Sequence, residues 1–78
     1  MSNFLTCAFL MERYGLRLNI KQLADALGVS VSTITNQLAE RRFPIPSYKD
    51  VGGVRFDYRD VAEYLDTMRD RARDAVAA

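Results

Sequence analysis

The chain has 78 residues, 49% apolar and 27% charged, a globular composition for one domain whose modest core takes in roughly 60–65% of the unfolded surface, so that self-association would help it. It has no histidine and a single cysteine, Cys7, which leaves no disulfide framework, no metal-ligand cluster and no ready general base; with no phosphate-binding glycine loop either, catalysis, metals and cofactors are not expected. A net charge of +1 does not announce a polyanionic partner, no apolar run nears the ~20 residues of a membrane span, and the N-terminus lacks a signal-peptide pattern, so a cytoplasmic protein with a reduced, buried Cys7 is expected.

Residues 3–14 read as a first helix, with Ser2 or Asn3 as cap and Gly15 as stop. Phe4, Leu5, Cys7, Ala8, Phe9, Leu10, Met11 and Tyr14 cover most of its circumference. A helix apolar nearly all round is buried on more than one side. In a domain this small one side packs on the domain and the other on a partner, which makes Phe4, Leu5, Phe9 and Met11 candidate self-association residues. Leu16-Arg17-Leu18 alternates and suits a very short strand.

Residues 19–41 are the most informative segment. A helix over 20–27 opens on Asn19, with Gln22 three residues later completing a capping box. Leu23 and Leu27 lie one turn apart on the face that meets the next helix, and Ala24 is small enough for the two to cross closely. Gly28 falls where the first helix stops, at a left-handed position that is cheap only for glycine. Val29 is expected to plug the space between the helices. Ser30 is a good N-cap for a second helix over 31–40, with Ile34 and Leu38 facing inward. Two helices joined in this way are the sequence form of a helix-turn-helix, which sets its second helix in the major groove of DNA. An ordinary helical hairpin is the bland alternative.

Phe43-Pro44-Ile45-Pro46 ends helical structure, because neither proline donates a hydrogen bond and each restricts the residue before it. Two short extended runs, 47–51 and 54–56, then flank Gly52-Gly53, a hairpin signal that makes 45–56 a wing. Asp57 is the expected N-cap of a closing helix over 58–74, with Asp60 in its first turn and Val61, Tyr64, Leu65 and Met68 at helical spacing. Beyond it, Arg69–Asp74 is a mixed-charge exposed stretch and the last residues are expected to fray. The fold class is thus mainly α with a small β-hairpin, a winged helix-turn-helix in one domain. Its charge is uneven: residues 1–40 are neutral, 41–59 carry +3 and 60–78 carry −2. The positive stretch follows the second helix, where phosphates would be met.

Leu18 to Ala24, onward through Leu38, then Pro44, Gly52-Gly53, Arg55-Phe56 and Asp60-Val61-Ala62-Glu63-Tyr64-Leu65 resemble the winged helix-turn-helix of phage excisionases and MerR-type regulators, over about residues 18–66. The flanks, Ala8 to Gly15 and Asp60 to Arg71, are similar to the ends of pyocin-activator-like proteins, small prophage-encoded transcription activators. The pattern departs at Gln37, where the excisionase type has an apolar residue: either Leu38 packs instead or Gln37 faces a partner. The resemblance implies a bacterial or phage protein bound to specific double-stranded DNA sites, as excisionase or transcription regulator, with an integrase or RNA polymerase as possible protein partner. It does not separate those uses.

On a recognition helix opening at Ser30, the outward positions are Val31, Ser32, Thr35 and Asn36. Asn36 is the best base reader, since its amide matches the adenine N6/N7 edge, and Val31 suits a thymine methyl. Ser30, Ser32, Thr33 and Lys21 are expected at phosphates, Arg41 and Arg42 at the backbone beyond the helix end, and Lys49 and Arg55 on the wing. One module reads few base pairs, so a dimer or a head-to-tail array on DNA is expected, joined through the first helix. A protein-interaction adaptor on the same scaffold is the competing reading, favoured by the near-neutral charge and the acidic C-terminal third.

Overall fold

Residues 4–77 are described by the computed structural model, and they form seven elements. In chain order these are α1 (Phe4–Tyr14), β1 (Arg17–Leu18), α2 (Ile20–Leu27), α3 (Val31–Ala39), β2 (Tyr48–Asp50), β3 (Gly53–Asp57) and α4 (Tyr58–Ala77). The expected start of the first helix at residue 3 and its cap at Ser2 or Asn3 lie outside the described residues, as does Ala78.

The wing is more than a hairpin. Leu16-Arg17-Leu18 supplies β1, which pairs antiparallel with β3, so the sheet has three strands in the order β1-β3-β2. Leu18 faces Phe56 across the β1–β3 ladder, and both are fully buried. Because side chains alternate along a strand, Arg17, Arg55 and Asp57 lie on the opposite, outer face together with Asp50, the partner of Gly53.

Every element but β2 sends apolar side chains to one core. Leu10 comes from α1, Leu18 and Phe56 from the sheet, Leu23 and Ala24 from α2, Ile34 from α3, and Val61 and Ala62 from α4, with Ile45 added from the segment between α3 and β2. Each large side chain buried there is worth about 1.5–3 kcal/mol. Phe43 meets Phe56 edge to face, with ring centres 5.7 Å apart. α1 lies on α4, where Thr6 Oγ1 donates to Asp66 Oδ1 at 3.2 Å, and Tyr14 ties α1 to α2 by donating its hydroxyl to Asp25 at 2.6 Å. That bond to a carboxylate raises the Tyr14 pKa. Val29 is a correction. It does not plug the space between α2 and α3 but stays 41% exposed, because the whole turn of residues 28–30 lies at the surface.

α3 ends in an unexpected way. Arg41 N–H donates to the Leu38 carbonyl at 3.1 Å and Arg42 N–H to the Gln37 carbonyl at 3.0 Å, the paired bonds that close a helix around a left-handed residue. That residue is not glycine but Arg41, at φ 58°. A side chain in this region costs on the order of 1–2 kcal/mol. α4 starts as expected. Asp57 Oδ1 accepts from the Arg59 backbone N–H at 2.8 Å, while its carboxylate receives the Arg59 guanidinium at 3.0 and 2.9 Å. These bonds hold the Asp57 carboxyl below its ordinary value of 3.8. The helix then runs to Ala77, past the expected limit of 74, and residues 69–76 are all exposed.

Two outcomes are expected. Arg41→Gly relieves the left-handed strain and stabilises the fold by about 1 kcal/mol, a rise of roughly 4–8 °C in thermal melts. Asp57→Ala costs about 1 kcal/mol through loss of the cap. Since the folded carboxyl titrates below its ordinary value, that contribution is complete above the ordinary value and declines as pH falls through the lowered one. Melts of the two chains converge on acidification below about pH 4 and stay apart at neutral pH.

Candidate nucleic-acid interface

The geometry of the interface starts at the end of α2. Gly28, at φ 72°, turns the chain, and the N–H groups of Gly28 and Val29 both donate to the Ala24 carbonyl, at 2.9 and 3.1 Å. Only glycine takes that backbone without strain. Two residues on, Ser30 is extended (φ −80°, ψ 155°) and its Oγ accepts from Thr33 N–H at 3.1 Å. At the other end of α2 the capping box is complete. Asn19 Oδ1 accepts from Gln22 N–H at 2.8 Å, and Gln22 Oε1 accepts from Asn19 N–H at 3.0 Å. Both helices of the motif are therefore fixed at their first turns by side chains, and Ile34 locks α3 against the core.

With Ile34 inward, Ser32 and Asn36 are exposed on the far side of α3, and Val31 and Thr35 are exposed on its flank. Thr35 Oγ1 donates to the Val31 carbonyl at 2.9 Å, so its hydroxyl proton is engaged and the oxygen can act toward a ligand only as an acceptor. Among the described residues the Asn36 amide has no hydrogen-bond partner, and both its donor and acceptor ends are available. Thr33 stands apart from this group: its hydroxyl pairs with Ser30 Oγ at 2.9 Å, and it lines a groove with Val29, Gln37, Phe43 and Met68 between the motif and α4. Leu38 packs against the core, while Gln37 is half-buried along this groove.

The cations divide by partner. Arg42 pairs with Glu40, Arg59 with Asp57, and Arg13 with Asp25 at 3.7 Å. The bidentate bond with Asp57 raises the Arg59 pKa further above its ordinary value. Arg55, expected to reach out from the wing, instead folds over the hairpin tip. Its Nη1 donates to the Val54 carbonyl at 3.0 Å, and its Nε lies 3.8 Å from Asp50 Oδ2. The remaining expected cations, Lys21 on α2, Arg41 after α3 and Lys49 on β2, are exposed and have no carboxylate within 4.0 Å among the described residues. Two residues escaped sequence reading. Arg17 joins the wing because β1 adds to the sheet, a pairing distant in sequence that no local pattern reveals. Val51, wholly exposed at the hairpin tip, was passed over although Gly52-Gly53 marks the turn beside it.

Among the described residues no group of three or more His, Cys, Asp or Glu could hold a metal ion, and no helix is long and apolar enough to cross a membrane. The surface so built can present hydrogen-bonding groups from one helix and separate positive charges around it, which is the chemistry of duplex DNA recognition.

A family model described as a helix-turn-helix domain matches residues 17–69, which takes in β1, the two helices of the motif, the wing and most of α4, and leaves α1 outside. No curated protein and no solved structure matches the chain. The turn at Gly28, the cap at Ser30 and a match over more than half of the residues lead to one statement: the chain belongs to the helix-turn-helix domain family, whose partner is DNA.

Proposed function

We propose that the chain binds specific double-stranded DNA sites as an excisionase or transcription regulator, reading bases with α3 and acting without chemistry of its own. The observation that carries this is the two-faced α3: Ile34 is fully buried, while Ser32 and Asn36 stand exposed opposite it and Val31 and Thr35 are exposed beside them. Asn36 and Val31 read base edges, Ser30, Ser32 and Lys21 meet phosphates at the start of the motif, and Arg41 meets them at its end. Lys49 serves the wing. The position of Thr33 in the groove, and the pairing of Arg42 with Glu40, favour lesser roles for those two.

The first helix supports assembly. Phe4, Leu5 and Phe9 are 75%, 77% and 61% exposed, and Met11 is exposed beside them. A contiguous apolar face of this kind on a small domain marks an interaction site. Copies joined through it on adjacent half-sites would give the specificity that a single small module lacks. The same face, with the groove along Gln37, also favours the adaptor reading, in which the occupant is another protein.

Footprinting near the chain's own coding region tests DNA binding. Protection that fades steeply with salt is expected, and its absence at low salt would leave the adaptor. Asn36→Ala should cost on the order of 1–3 kcal/mol at one base position and leave the salt dependence unchanged. Arg41→Gly, although more stable, should bind every sequence more weakly and flatten the log–log salt slope by about 0.9. Phe9→Glu should abolish cooperativity in gel shifts and leave the affinity of the first copy intact; unchanged cooperativity would rule α1 out. Excision with an integrase, set beside a promoter-reporter assay, separates recombination from transcription.

A further inference from the structure

Asp50 stands at the centre of the wing's positive charge. Its Oδ2 lies 3.3 Å from Arg17 Nη1 and 3.8 Å from Arg55 Nε, and its Oδ1 accepts from the Gly52 backbone N–H at 2.8 Å. One carboxylate on β2 therefore touches a cation on β1, a cation on β3 and the turn between β2 and β3. All three side chains share the outer face of the sheet. The turn contact is a proper hydrogen bond. The two arginine contacts are loose: one is at the limit of hydrogen bonding and the other beyond it, where charge-assisted pairs close to about 2.7–2.9 Å. Arg17 is 58% exposed, and its guanidinium keeps donors directed to solvent. Partly exposed ion pairs of this kind add about 0–1 kcal/mol to a fold, so a phosphate can compete for these arginines.

Resting on the DNA-binding reading, we propose that Asp50 limits how much of the wing's charge reaches DNA: it holds Arg17 and Arg55 in a loose internal pairing that a phosphate must displace, and so restrains sequence-independent binding. A phosphate offers a guanidinium the same planar, bidentate match as a carboxylate and would take Arg17 at shorter distance. The carboxylate also repels an approaching phosphate. Phosphate contacts carry affinity without sequence information, so a wing with two free arginines would bind any duplex. With Asp50 present, discrimination stays with α3. Arg55 is restrained a second time by the tip itself, where its guanidinium lies over Gly52 in the space that a methyl would fill.

Asp50→Asn tests this directly. An asparagine oxygen still accepts from the Gly52 N–H, so the turn is kept while the charge is removed. Fluorescence anisotropy with a short random-sequence duplex, and with the footprinted site, should be run on the full chain across salt. The variant is expected to lose roughly three- to twelvefold more affinity than the wild type between about 50 and about 200 mM salt, as one or two added phosphate contacts require. It should also bind the random duplex more tightly, so that its preference for the footprinted site falls. Gly52→Ala is the second variant, and it displaces only the flexible end of Arg55 while Asp50 stays in place. It should steepen the salt dependence by the smaller amount, about threefold over the same range. Wild-type salt dependence and preference in both variants, with the wild-type chain binding normally, would overturn the role of Asp50 alone. A wild-type chain that binds neither duplex would overturn the DNA reading and this inference together.

Discussion

The burial of Phe56 is the constraint on which the other parts depend. It sits in β3, the strand that touches β1, β2, α2 and α4, and it is wholly removed from solvent. Opposite it in the ladder is Leu18, and in an edge-to-face pair with it is Phe43, the residue that leads the chain out of the helix-turn-helix. One aromatic ring thus joins the sheet to the exit of α3. Had the chain only the two motif helices, Ile34 would have a single helix to pack on. With Phe56, Leu18, Val61 and Ala62 in the same core, α3 is held from behind and its outer face is free to be polar. The exposure of Ser32, Thr35 and Asn36 is therefore a consequence of the sheet as much as of the motif.

The helical parts of this arrangement were legible because each of their signals is local. Asn19 and Gln22, Gly28, and Ser30 act on residues within one turn of themselves, so reading them needs no knowledge of the fold. Gly52-Gly53 and Asp57 are of the same kind. What escaped was decided by distance or by exception. The pairing of β1 with β3 depends on Phe56 and Leu18 being brought together by everything between them. The end of α3 was hidden because a left-handed position advertised by glycine in most helices is taken here by Arg41. Val29 was assigned to the interior by its type, but the turn that carries it, residues 28–30, lies wholly at the surface.

Charge was the least legible property, for a related reason. A run of five cations between residues 41 and 59 suggests a basic patch, yet Arg42, Arg55 and Arg59 each have a carboxylate partner within the chain. Whether a charge is available to a ligand depends on its neighbours in space. Counting arginines along the sequence overstates the field that DNA would meet, and places it too close to the wing. Of the expected contact cations, those left exposed without such a partner, Lys21, Arg41 and Lys49, come from α2, from the end of α3 and from β2, and so belong to three different elements around the motif.

The long overhang of α4 has a dynamic consequence. From residue 69 to residue 76 every side chain is exposed, so nothing but the helix itself holds these turns. Its internal pairing is mixed: Arg69 with Arg73 and Asp70 with Asp74 repel at i, i+4, while Asp70 with Arg73 and Arg71 with Asp74 attract at i, i+3. The last turn carries no basic residue to complement the helix dipole. Such a segment opens locally at far lower free energy than the turns around Val61, which open only with the core. Amide protons along this one helix should accordingly exchange with solvent on two different clocks, with the change of rate near Met68, where the last packed side chains give way to water.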